Sequence, residues 1–285
     1  MATEVGHAAP ANMAEYFQHH LTNLTNTGHK QEALVDFHIV NLDTVFFSVL
    51  MGVLGLFFLW LVARKVTSGV PSRTQAAVEA LVEMVENQSK SIVHGDRTFV
   101  APLGLTVFFW VVLMNALDWV PIDLPAKIIE WTGLHLPYAR IVPTADINGT
   151  MGMAFAVFFL MIYYSFKIKG AGGFGRELIS APFGKHWSLI LPNLLINCVE
   201  YFSKTVSLGV RLFGNMFAGE LLFALIATMG AAWATDSIGT SVALAFGHVV
   251  AGSIWALFHV LVVLLQAFIF MMLTLVYVGQ AHESH

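Results

Sequence analysis

A chain of 285 residues in which 57% are hydrophobic and only 11% charged cannot fold as a soluble domain without leaving broad apolar areas in water, because soluble chains carry about 25% charge. The net charge of −4 and the scattered Lys and Arg exclude the basic stripe that nucleic-acid binding requires. The single cysteine, Cys198, excludes an internal disulfide framework, and its place inside an apolar run predicts a buried, inert thiol.

Residues 1–40 are polar and lack the basic stretch and short apolar core of a secretory signal. They are expected as a water-exposed N-terminal segment, followed by one transmembrane domain over 41–285. Three 20-residue runs without Asp, Glu, Lys or Arg, at 44–63, 98–117 and 147–166, are each long enough to cross a bilayer as a helix. Between the first two, residues 73–94 set Ala77, Leu81, Met84, Val85 and Val93 against Glu79, Glu83, Glu86 and Lys90, the pattern of an amphipathic helix lying on the membrane surface. Such a helix serves either as a plain surface element or as a docking face.

The fourth and fifth runs, 187–232 and 237–280, are abnormally long; the fourth is broken only by Glu200, Lys204, Arg211 and Glu220. As one helix the fourth would measure roughly 69 Å, against a hydrocarbon core of about 30 Å. Each is therefore a hairpin or a steeply inclined helix, and the lack of a turn signal after Pro192 favours long helices packed together. The fold class expected is an all-α membrane protein with about five transmembrane helices, the last two long and steeply tilted, plus one amphipathic surface helix.

Nine basic residues flank two of the connections (Arg64, Lys65, Arg73, Lys90, Arg97; Lys167, Lys169, Arg176, Lys185), whereas Lys30, Lys127 and Arg140 are alone on the other side. The richer side faces the cytoplasm, which puts the N-terminus and the 118–146 connection outside and His285 inside. Trp119 and Trp131 suit the outer interface and Trp187 the inner one.

Arg211 stands midway along the fourth run, where an arginine costs about 2.5 to 3.5 kcal/mol on insertion scales and is rarely kept without a role. Ser207, Arg211 and Asn215 follow at i, i+4 and i+8, with Lys204 one turn back, which makes one polar stripe. Gly209, Gly214 and Gly219 on the same helix permit a close neighbour. Glu220, nine residues past Arg211, lies half a turn away in azimuth and roughly 13 Å along the axis, so it faces different surroundings, expected as a hydrated pocket shared with the fifth run. There His248, His259 and Gln266, 11 and 7 residues apart, line one face. Histidine and glutamate are the side chains of a proton relay.

Blander readings compete at several positions. A histidine such as His248 on an apolar helix is most often a satisfied core residue. Glu200 and Lys204 read first as an i, i+4 ion pair. Asp43, Asp118, Asp123 and Asp146 stand at outer span ends, where helix capping is the default and a mouth for protons the second reading. No metal site is expected, since His19 and His20 lie in the polar tail and the apolar-run histidines are too far apart to chelate. Gly170 to Gly175 follows no strand and has no phosphate-loop lysine, so neither a nucleotide nor any other cofactor is expected.

The segment Ser207-Leu-Gly-Val-Arg211-Leu-Phe-Gly-Asn215-Met-Phe-Ala-Gly-Glu220 closely resembles the signature of subunit a of bacterial F-type ATP synthases. Phe258-His259, the stretch Leu265-Gln266-Ala267-Phe268-Ile269-Phe270, Asn115 to Asp118 with Pro121 to Asp123, and Val142 to Asp146 reinforce it. The resemblance covers the chain from about residue 40 to its end; the stretch 230–239 is peculiar to this chain. It implies a multi-pass inner-membrane stator, not catalytic by itself, whose inclined helices face a rotating ring of c subunits. Protons would enter from the periplasm past Glu220, His259 and Gln266, with Asp118, Asp123 and Asp146 at the mouth, and leave to the cytoplasm after ring rotation. Arg211 would separate the two routes, and the amphipathic helix would help dock the b-subunit peripheral stalk. Three rivals remain. A secondary transporter would also bury Arg, Glu and His, but the inverted repeat expected of it is absent. An intramembrane protease would need a nucleophile and base on one face, which Ser253 and His259 do not share. A structural scaffold would not need Arg211 or Glu220.

Overall fold

The computed structural model describes residues 22–28, 36, 38–93, 98–120, 124, 131, 140–184, 186–231 and 238–281. They form six α-helices: α1 Leu42–Ala63, α2 Arg73–Ile92, α3 Val100–Ala116, α4 Ile147–Ser180, α5 Ile190–Ala231 and α6 Ile238–Gln280. Short 3-10 turns stand at Leu117–Trp119, Pro143–Ala145 and Trp187–Leu189. Among the described residues there is no strand, only a β-bridge between Thr25 and Asn41. Every helix except α2 is long and apolar enough to cross a membrane, so the chain is an all-α, multi-pass membrane protein.

Helices α5 and α6 run 42 and 43 residues without interruption. The hairpin alternative is thereby excluded. Pro192 falls in the first turn of α5, where a missing backbone N–H breaks no helical hydrogen bond. Helix α4 does break: Gly170 takes φ 70 and ψ 163, a conformation essentially reserved for glycine. The glycine-rich stretch is thus a joint between the apolar part of α4 and a short polar extension.

By compactness the chain divides into two units. The first takes its residues from Met1–Gly52, Val112–Asp146 and Gly214–Leu264, and the second from Val53–Val111, Ile147–Phe213 and Leu265–His285. The second is held by an apolar cluster of Val85, Val93, Val100, Tyr164, Met271, Leu275, Val278 and Ala281. Val85, Ser89 and Val93, spaced by four, are all buried, so the apolar side of α2 finds a partner within the protein itself rather than in lipid alone. Ser72 caps that helix by accepting from the Gln75 N–H, and Glu79 and Glu83 stay exposed. Where α5 crosses α4, a Cβ on Gly209 would come within 2.6 Å of the Met151 sulfur and 3.3 Å of its Cα, so a larger residue there would have to displace the Met151 side chain. Gly214, by contrast, has open space around it, so the helix is thinned for contact at Gly209 and Gly219 but not there.

Cys198 departs from expectation, for it is exposed. An apolar run marks a helix for the membrane without saying which side turns inward, and Cys198 lies on the outward side of α5. Trp119, Trp131 and Trp187 are likewise exposed, as interface residues require. Asp123, Lys127, Lys185, Trp233, Asp236 and His285 lie outside the described residues.

Candidate proton-handling site

The first unit is organised around buried charge. Met216, Glu220 and Ala224 succeed one another at four-residue steps on α5 and all are buried, so Glu220 occupies a place in an otherwise apolar inward stripe. Its partner is Arg140, also buried, with Nη2 2.5 Å from Oε2 and Nε 3.4 Å from Oε1. Two N–H groups thus meet two carboxylate oxygens, the fork geometry in which arginine binds carboxylates best. Arg140 Nη2 also donates to the Ala145 carbonyl at 2.9 Å, Nη1 donates to Asn23 Oδ1 at 3.4 Å, and the guanidinium lies 5.9 Å from the Phe217 ring centre.

Further acids gather in the same unit. Asp146 accepts from Asn41 Nδ2 and from the Thr44 hydroxyl, each at 2.7 Å. Asp43 accepts the Leu24 N–H and the Thr44 N–H at 2.8 Å. His259 is 1% exposed and brings Nε2 within 2.6 Å of Asp118 Oδ2. These two atoms are misaligned for a hydrogen bond, and both ring nitrogens of His259, Asp118 Oδ2, Asn115 Oδ1 and Trp255 Nε1 lack a hydrogen-bond partner. The approach is therefore an ion-pair contact whenever the imidazole is protonated. Orphaned buried polar atoms cost about 1–3 kcal/mol apiece, and three of those among the described residues sit on the His259 imidazole and the Asp118 carboxylate beside it, which makes this pair a candidate for chemistry. Phe223 meets the imidazole edge-on at 5.2 Å and Trp255 lies 6.0 Å away. A Cβ on Gly219 would overlap the His259 ring, so glycine there is what admits the imidazole. His248 follows the blander reading: its Nδ1 lies 2.8 Å from the Ile226 carbonyl, tying α6 to α5.

The second unit wears its charge outward. Ser207 and Arg211 are exposed on α5, joined by a 3.4 Å contact from Nη2 to the Ser207 hydroxyl, while Leu208 and Leu212 on the opposite side are buried. Lys204 pairs with Glu200 at 2.6 Å and donates to Gln280 Oε1 at 2.9 Å. Lys169 pairs with Glu177 at 2.7 Å and reaches the Gln280 carbonyl at 3.3 Å. These groups, with Asn197, line a cavity of about 200 Å³. Gln266 is buried on α6 in this unit, and Asn215 is half-buried in the first.

Four readings from the sequence change here. The charge partner of Glu220 is Arg140, which the sequence offers only as a marker of orientation; a cation in a connection whose described acids are Asp118 and Asp146 was the available signal. Asp118 faces His259, and Asp43 and Asp146 reach beyond their own helix starts to groups at residues 24, 41 and 44, while Asp43 also accepts the first-turn Thr44 N–H. Asn41 and Thr44 were missed, because single polar residues at a helix start carry no distinctive pattern. Among the described residues no group of His, Cys, Asp and Glu is arranged to hold a metal.

Residues 45–279 match the family model described as ATP synthase A chain. The chain belongs to that family. It is 56% identical over 288 residues to ATP synthase subunit a of Acidovorax sp. (strain JS42), with 98% of each chain covered. It is 54% identical to that of Paracidovorax citrulli (strain AAC00-1) over the whole of both chains. With ATP synthase subunit a of Vibrio cholerae serotype O1 (strain M66-2) it shares 48% over 95% of this chain and 96% of the relative. Membership of the ATP synthase A chain family sets aside the transporter, protease and scaffold alternatives. The matched range holds Arg140, Arg211, Glu220, His259 and Gln266 but begins after Asn41, Asp43 and Thr44.

Proposed function

We propose that this chain is the proton-conducting stator subunit in the membrane sector of a bacterial ATP synthase, lending two half-channels to a rotating ring of c subunits so that proton flow drives rotation and ATP synthesis. The observation that carries the reading is Arg211: a guanidinium midway along an apolar helix, turned away from the buried side of its own protein. An exposed guanidinium at that depth is suited to meet carboxylates, and those of a neighbouring ring would pass the Ser207, Arg211 and Asn215 stripe. Because a guanidinium does not deprotonate in proteins, Arg211 holds a passing carboxylate ionised without relaying its proton, and so keeps the two routes apart.

Entry runs from the outer side through the buried acids and His259, with Asp118, Asp123 and Asp146 at the mouth and Glu220 and Gln266 further on. Side chains that both accept and donate protons at short range suit such transfer. Lys204 and Glu200 lie along the inner part of the stripe, and His248 lines the outer part of α6. The membrane is the bacterial inner membrane, with residues 1–40 periplasmic, 41–285 forming the membrane domain and the C-terminus cytoplasmic. The exposed acidic side of α2 docks the b-subunit stalk, and the chain performs no bond chemistry of its own. A proton crossing ~150 mV yields roughly 3.5 kcal/mol for the rotor.

The test compares inverted vesicles bearing the assembled complex with and without Arg211→Ala. ATP-driven proton pumping is expected to vanish while assembly persists and passive leak is retained or rises. Undiminished pumping would remove the central residue of this reading.

A further inference from the structure

We infer that residues 22–28 and 38–41 form a clasp on the outer acid cluster, in which Asn23 and Asn26 act as positioning residues for proton entry by holding Arg140 and Asp43 in place. The inference rests on the proposed stator function and concerns a segment that precedes the range matched by the family model.

The clasp is a single antiparallel bridge extended by backbone and side-chain hydrogen bonds. The Leu42 N–H donates to the Leu24 carbonyl at 2.8 Å and the Asn26 N–H to the Val40 carbonyl at 3.1 Å, on either side of the Thr25 and Asn41 bridge. Asn26 locks it with both ends of its side-chain amide: Nδ2 donates to the His38 carbonyl and Oδ1 accepts from the Val40 N–H, each at 3.0 Å. A single asparagine thus substitutes for a further rung, which is how Asn stabilises turns and strand ends.

Both segments that meet at the bridge end on buried charge. The first delivers the Leu24 N–H to Asp43 Oδ2 and Asn23 Oδ1 to Arg140 Nη1. The second delivers Asn41 Nδ2 to Asp146 Oδ2. A tail that merely anchored the chain would need the bridge but not these three contacts, since nothing in a bridge requires its ends to meet ionised groups. Arg140 has five N–H donors. Nε and Nη2 serve Glu220 and Ala145, and Asn23 is what Nη1 meets. Asn23 adds a third contact to a guanidinium already held by Glu220 and the Ala145 carbonyl, and through it the clasp bears on where the Glu220 carboxylate stands. The titratable groups of this unit that face the same cluster are Asp43, Asp118, Asp146, Glu220 and His259, and Arg140 and Asp43 are the two that the first segment touches.

The experiment uses the complete complex in proteoliposomes, with ATP synthesis driven by an imposed potential and the entry-side proton concentration varied. Asn23→Ala and Asn26→Ala are compared with the unchanged chain, rates being normalised to assembled complex. Loss of one positioning contact is expected to move the half-saturating proton concentration by about two- to tenfold, with Asn26→Ala acting in the same direction as Asn23→Ala. Unchanged half-saturation overturns the inference, whether the amount of complex holds or falls, because a purely structural clasp alters abundance and not the response to protons. Asn23→Ala removes a single 3.4 Å contact and so tests the idea even where Asn26→Ala fails to assemble. Arg211→Ala, run in parallel, separates the two levels: retained pumping there refutes the stator function, whereas lost pumping with unaltered Asn23 and Asn26 variants refutes the clasp alone.

Discussion

The two units of this chain treat charge differently. The second buries Val, Leu, Met and Ala around Leu275 and Val85 and turns Ser207, Arg211 and Glu200 outward, as a helical membrane protein with a working outer surface would. The first buries Asp43, Asp146, Arg140, Glu220 and His259 and leaves large apolar side chains such as Phe46, Phe246 and Leu257 exposed. In water the first arrangement would be inside-out, but in lipid the apolar exterior costs nothing and the charge must go inside or to a partner. One arginine, Arg140, is therefore buried against a carboxylate of its own protein, and the other, Arg211, lies exposed on α5, where the proposed stator function would set it against a neighbouring ring.

That contrast can be broken by substitution. The largest expected effect is on function without stability: Arg211→Ala abolishes ATP-driven pumping while the stability of the purified complex, read by denaturation, changes by no more than a surface substitution would change it, about 0.5 kcal/mol. Glu220→Gln, on the buried side, slows flux without raising passive leak, and identical leak phenotypes for the two would erase the distinction between gate and entry route. Next comes Arg140→Ala, which strands a buried carboxylate and is expected to cost about 3–5 kcal/mol, read as loss of assembled protein and a lower denaturation midpoint. If Arg140→Ala were as harmless to stability as Arg211→Ala, burial would not separate the two arginines.

A smaller effect follows from Gly219→Ala, whose methyl would displace the His259 ring at about 1–3 kcal/mol. Adding His259→Ala should relieve that strain, and strictly additive penalties in the double variant would show that the two residues do not touch. The smallest is Glu200→Ala, which removes an ion pair whose carboxylate is 51% exposed; at about 0–1 kcal/mol it should leave the denaturation midpoint almost unmoved.

The candidate site was partly legible from residues alone. Arg211 stood out because a charge in a 46-residue apolar run carries a large transfer cost, and the Ser207, Arg211, Asn215 spacing shows as a stripe on any helix. Glu220 could be placed on the other side of α5 by azimuth. Its partner could not, since Arg140 is 80 positions away in sequence and periodicity acts only within one helix. His248 and His259 look alike as sequence, both being lone histidines in apolar runs. What separates them is that one faces a backbone carbonyl and the other a carboxylate.

By itself, the sequence determined that the chain is helical and spans a membrane, that its last two helices are long, and that α5 carries a charge midway along an apolar run. These follow from transfer energy and from the 3.6-residue repeat, both of which are local properties. Which side of each helix turns inward, that Cys198 lies outside and Val85 inside, and that residues 23, 24 and 41 close on Asp43, Arg140 and Asp146 were decided by the tertiary structure. Those choices depend on which distant surfaces meet, and a pairing across more than a hundred residues, such as Asn23 with Arg140, leaves no periodic trace in the order of the chain.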